Sequence, residues 1–217
     1  MAKITEGYMP FMGHETYYRI VGEHKDNGKA PLLCLHGGPG STHNYFEVLD
    51  NVADDDQRMI VMYDQIGCGN SYLDGHPELW KKETWMSELI ALRQHLGLDE
   101  YMARYCDLWL GEDAPDCCKR PKKRGDEAYV VGWGSNEFVP SGSLRDFEYI
   151  DRLGEITVPS LIMSGISDLC SPLIAKTMHD GIKGSEWILW ERARHTCYVD
   201  RHDDYCVELI RWMNEHD

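Results

Sequence analysis

The chain has 217 residues, 42% of them hydrophobic, with 12 Tyr and 7 Trp, enough to bury one good core. Its 37 acidic against 22 basic residues give a formal charge of −15, which repels phosphate backbones and anionic lipid and so argues against nucleic-acid and membrane-surface partners. No apolar stretch approaches the roughly 18 residues a membrane span needs, and the opening MAKITEGYMPF has no signal-peptide core, so a cytoplasmic chain with reduced thiols is expected.

In chain order, residues 1–24 read as an antiparallel pair, KITEGYMPF and ETYYRIVGE, joined near Gly13-His14. PLLCLH (31–36) is a short apolar run bounded by turn residues, as expected of a strand covered on both faces. A helix is expected to open at Ser41 and to carry Phe46, Leu49 and Val52 on one side. RMIVMYD (58–64) is a second buried strand, and residues 84–96 form a helix with Trp85, Leu89, Leu92 and Leu96 in one stripe, stopped by Gly97. After a less regular stretch (101–156) come strand VPSLIMSG (158–165), helix SPLIAKTMHDGI, strand SEWILWE (185–191) and a closing helix with Cys206, Leu209, Ile210 and Met213 on one face. Strands alternating with helices predict an α/β fold, a mostly parallel sheet flanked by helices. The basic run Lys119 to Arg124 reads as a solvated loop, and the eight cysteines, with no C-x-x-C pair, read as small core residues rather than a zinc site.

In open α/β sheets ligands bind beyond the carboxyl ends of the strands, and four such ends carry unusual residues. The first ends in His36-Gly37-Gly38-Pro39-Gly40, where a bare backbone lets amide N–H groups approach a substrate oxygen; a tight strand-to-helix turn explains the glycines equally well. The second ends in DQIGCGNS (64–71), which lacks the third glycine of a nucleotide-binding loop. The third leaves Asp168 just past its strand, and the fourth leaves His195 in the same relation to its own. An acid and then a histidine after the last two strands follow the chain order of α/β-hydrolase triads.

HGGPGS, DQIGCGNS, GSNEF, SLRDFEYIDRLGEITVPSLIMSGISD and RHTCYVD together resemble the proline iminopeptidases, serine aminopeptidases of the α/β-hydrolase fold, and most of all the branch typified by tricorn-interacting aminopeptidases. The resemblance implies an α/β-hydrolase-like core in residues 1–100 and 157–217, with 101–156 as the remnant of a partial helical cap. It implies Asp168 as triad acid, His195 as triad base, Gly37 and Gly38 at the oxyanion loop, and Glu137 as the group that holds a substrate's α-ammonium. No metal or organic cofactor is implied, and the implied substrate is a small peptide or amino-acid amide. Family members often carry a second acid directly after the triad Asp, where this chain has Leu169.

One part of the pattern is missing. No G-x-S-x-G occurs anywhere, and GLDEYMARYCDLW passes from the helix directly into cap-like sequence. The nucleophile strand, its sharp turn and the elements next to it are expected to be absent, leaving buried strand edges: either the halves close on each other, PLLCLH near VPSLIMSG, or the chain folds poorly. Ser41, Ser71 and Ser135 lack an elbow, and Cys106 lacks its small flanking residues. The expected function is therefore that of a proline iminopeptidase-like serine hydrolase inactive in this form. The alternative is a non-catalytic relic that binds peptides or amines.

Overall fold

In a computed structural model, strands β1 (Ile4–Phe11) and β2 (His14–Val21) form the expected antiparallel pair, in register from Ile4 opposite Val21 to Phe11 opposite His14. The structure describes residues 1–99, 101–106, 115–119, 125–137 and 139–217. These divide into two units, one of residues up to 106 with Asp116–Asp146, the other Phe147–Asp217. The division falls inside the stretch 101–156 read as a cap.

In the first unit, β3 (Leu32–His36) and β4 (Ile60–Tyr63) run parallel, and β4 also pairs antiparallel with β2. Every residue of β4 and four of the five in β3 are buried, which is why both read as unbroken apolar runs. Between them the single expected helix is a 3₁₀ segment, His43–Leu49, continued by helix α1 (Asp50–Asp55). The reason lies in its burial: His43, Asn44, Tyr45 and Phe46 are consecutive buried residues, more than one stripe of an α-helix can turn inward. Bidentate bonds from Arg19 to Asp50, at 2.8 and 2.7 Å, tie α1 to β2.

Helix α2 (Lys82–Leu96) ends at Gly97 as expected. It lays Leu92, with Leu89 and Leu96, against Leu33, Val61, Tyr63 and Met9, forming the main apolar cluster of this unit. Each such fully buried side chain contributes about 1.5–3 kcal/mol relative to exposure.

A fifth strand, β5 (Met102–Cys106), follows and pairs parallel with β3, from Leu32 opposite Met102 to His36 opposite Cys106. The sheet order is β1-β2-β4-β3-β5. Here the expectation is corrected: the edge of β3 is neither naked nor closed by VPSLIMSG, because the first residues after α2 supply a strand to it. Five residues leaving a helix beside an open parallel edge satisfy the unpaired amides at the least cost in loop length. Two short helices, α3 (Asp116–Lys119) and α4 (Asp126–Trp133), complete the unit.

In the second unit, β6 (Leu161–Gly165) and β7 (Glu186–Trp190) form a parallel pair of their own, connected by α5 (Ser171–Gly181). A short turn, α6 (Cys197–Asp200), leads to α7 (His202–His216), which buries Cys206, Leu209 and Met213 of the expected face, leaves Ile210 half-buried and adds Tyr205. Among the described residues no helix is long and apolar enough to cross a membrane.

Candidate active site

The carboxyl ends of β6 and β7 lie side by side, and the loops that leave them are stitched together by backbone bonds. Ile166 N–H donates to Trp190 O at 2.9 Å, and Ser167 N–H to Ala193 O at 3.0 Å. The Cys170 amide donates to Asp168 Oδ1 at 2.8 Å, which fixes the acid's rotamer on its loop. His195 Nδ1 then meets the same Oδ1 at 2.8 Å, with the two side chains 17% and 9% exposed. The Nδ1 bond to the carboxylate sets the ring plane and turns Nε2 away from Asp168, and Nε2 offers a lone pair only once the imidazolium has lost its proton.

Burial alone would push the His195 pKa down. Hydrogen bonds to Cys170 and Asp168, together with their charge, outweigh it and raise the imidazole to about 9. Cys170 is the neighbour that sequence reasoning passed over. Its position two residues after the acid gave no sign of it, because the histidine it meets arrives on another loop.

In the first unit, the glycine loop leaves β3 with His36 buried. Its ring Nε2 accepts the Gln65 amide at 3.0 Å, anchoring the loop to the end of β4. Gly38 and Gly40 have φ of 147° and 109°, and a Cβ on Gly38 would lie 2.7 Å from the Gly40 nitrogen, so the corner requires glycine. The Gly37 amide donates to the Tyr45 hydroxyl at 2.7 Å. Gly38 is the half-buried member of the pair, and among the described residues its amide meets no acceptor.

The DQIGCGNS loop is a clamp. Asp64, fully buried, accepts the His43 amide at 2.8 Å, the His43 ring at 2.7 Å and the Asn70 amide at 2.8 Å. Burial would raise its carboxyl, but His43, His36 and the Asn70 amide hold it below the usual range. Ser71 donates to Asp64 O and accepts the Tyr17 amide, so both functions of its hydroxyl are engaged. Burial pushes the Cys68 thiol up to about 12, which makes it inert near neutrality.

Glu137 lies in a turn after α4, half-buried. The structure thus brings Asp168 and His195 together in the second unit, while Gly37, Gly38 and Glu137 belong to the first. Ser41 is buried and Ser135 exposed. The side chain of Cys106 and most of the run Lys119 to Arg124 lie outside the described residues.

A family profile for the alpha/beta hydrolase fold matches residues 30–103. The proline iminopeptidase of Clostridioides difficile (strain 630) is 43% identical over 294 residues, covering 99% of this chain and 100% of that protein. Those of Clostridium botulinum and Lactobacillus acidophilus are each 41% identical over the same span and coverage. The 294-residue span exceeds the 217 residues of this chain, so part of each relative faces no residue here. Among solved structures, the proline iminopeptidase of Mycobacterium smegmatis matches with a TM-score of 0.85 at 20% identity, over 98% of both chains. VinJ matches with a TM-score of 0.80 at 21% identity, over 98% of this chain and 99% of that one.

Proposed function

This chain belongs to the proline iminopeptidase family of α/β-hydrolases, and from that premise we propose that it is the acid–base frame of a serine aminopeptidase whose attacking serine is absent. The observation that carries this reading is a pair without a third member. His195 and Asp168 are held at 2.8 Å at the ends of adjacent parallel strands, and the sequence has no G-x-S-x-G. An alignment longer than the chain supports an internal loss rather than a drifted serine.

In a complete parent, a serine attacks the carbonyl of the first peptide bond while His195 takes its proton. Asp168 fixes the tautomer and stabilises the imidazolium, and the amides of the HGGPG loop receive the oxyanion. The acyl-enzyme then releases the N-terminal residue, proline by preference, from a small peptide or amide. Glu137 is the carboxylate assigned to the substrate's α-ammonium. Without the serine His195 has no elbow hydroxyl to activate, and this form does not turn over peptide by the serine mechanism.

The test is hydrolysis of a proline arylamide by the purified chain. The expected result is release at the buffer rate. Release that disappears in His195→Ala overturns the inactive reading. The half-buried Glu137 favours a second reading, retained binding of an amine, and its test is a proline-amide titration of the wild type and Glu137→Gln. Saturable binding lost in that variant supports it, and no binding by the wild type ends it.

A further inference from the structure

We propose that Asp168, Cys170 and His195 form a binding site for a thiophilic divalent cation, zinc above all. One ligand atom from each, a carboxylate oxygen, Sγ and a ring nitrogen, lies within 4.8 Å of the other two. Among the described residues no other group of three His, Cys, Asp or Glu side chains meets that spacing. All three are half-buried, so the site is shielded from bulk water yet open to a cation from solution.

The donor set selects the metal. A thiolate, an imidazole and a carboxylate are the ligands zinc takes, whereas calcium and magnesium require oxygen throughout. In a tetrahedral zinc site the ligand atoms stand roughly 3.4–3.6 Å apart, given bonds of about 2.0–2.3 Å. Seating an ion therefore opens the Asp168–His195 pair from 2.8 Å and changes any other ligand separation by at most about 1.4 Å, shared between two side chains and within the reach of their torsions. Two negative ligands balance the charge of the ion, and a fourth position is left for water, as in sites with three protein ligands.

The loops are built to hold this arrangement. The Cys170 amide on Asp168 Oδ1 sets the two ligands of the D-x-C segment relative to each other. The Ser167 amide on Ala193 O fixes that segment against the one bearing His195. Arg194, the adjacent cation, pairs with Asp200 through its side chain, which offsets its repulsion of an incoming ion. C-x-x-C spacing could not reveal such a site, because its third ligand lies 27 residues from the first. With the ion bound, a nitrogen of His195 is coordinated and the Asp168–His195 bond is replaced by two bonds to the metal.

The experiment is a titration of the full chain with Co²⁺, followed by its thiolate-to-metal charge-transfer absorption, and then with Zn²⁺ in competition against a chromogenic chelator. The site predicts one equivalent per chain and a band that Cys170→Ser abolishes, with zinc affinity falling by more than about 100-fold. His195→Gln weakens zinc comparably without removing the thiol, and far-ultraviolet circular dichroism establishes that both variants are folded. Cys206→Ser, which removes the thiol 3.8 Å from His202, retains the band. Absence of the band in the wild type, or its persistence in Cys170→Ser, overturns the proposal. None of these readings depends on hydrolysis, so their failure is distinct from failure of the aminopeptidase reading.

Discussion

Asp64 and His43 face each other at 2.7 Å, Oδ1 to Nδ1, with side chains 0% and 2% exposed. The same carboxylate accepts the His43 and Asn70 amides, so it joins the 3₁₀ segment after the glycine loop to the turn after β4. Asp64→Asn replaces one acceptor oxygen with a donor and leaves a buried N–H unsatisfied, at a cost of about 3 kcal/mol. Urea unfolding followed by tryptophan fluorescence should register that loss. An unchanged midpoint would remove Asp64 from its role as clamp.

A second buried carboxylate gives the molecule a pH dependence. Glu88 Oε1 accepts the Thr16 hydroxyl and the Ile66 amide, while Oε2 has no partner among the described residues. Burial raises its pKa from the ordinary 4.5 to about 7, with Asp64 adding to the rise and the two donors opposing it. The native chain therefore keeps a proton that the unfolded chain surrenders. Stability falls as pH rises from 4.5 to 7 and does not recover above that, a loss of about 3 kcal/mol. Glu88→Gln keeps an acceptor for both donors and does not titrate. Its unfolding free energy should change by about 3 kcal/mol less than the wild type's between pH 4.5 and pH 8, and parallel curves would contradict the assignment.

Gly67 is required by a neighbour. Its φ is +88°, and a Cβ there would lie 2.5 Å from the ring of Trp80, itself 1% exposed. Gly67→Ala should cost about 3 kcal/mol, part from backbone strain and part from overpacking. Trp80→Phe in that background should recover the packing part only, which a double-mutant cycle separates.

The new sheet edge is open to test at one amide. Met102 N–H donates to Pro31 O at 2.7 Å, the first bond between β5 and β3. Met102→Pro removes it and leaves an acceptor unpaired, about 1–3 kcal/mol, with a growing oligomer fraction in size-exclusion chromatography as the β3 edge is uncovered. A monomeric variant of unchanged stability would argue that β5 does not cover that edge.

β3, β4, α2 and α7 were legible because their burial follows the period of the element, as with Leu32 to Cys34 or Leu209 and Met213. β5 was not, since MARYC carries no run or alternation that distinguishes it and only the open edge of β3 makes it a strand. Glu88 sits within the apolar face of α2, and nothing local predicts the Thr16 hydroxyl, 72 residues away, that satisfies it. The pairing of Asp168 with His195 was legible as order along the chain, because each leaves the carboxyl end of a strand and β6 and β7 are neighbours. Cys170 was hidden by the same logic: spacing along one loop says nothing of a histidine delivered by another.

The proposal that needs the sharpest test is that the Asp168–His195 pair activates no serine hydroxyl. Intact-mass analysis after treatment with a fluorophosphonate, which phosphonylates an activated serine hydroxyl with loss of fluoride, is the test. An unmodified mass is expected for the wild type and for His195→Ala alike. A stoichiometric adduct on one serine of the wild type, missing from His195→Ala, would contradict it.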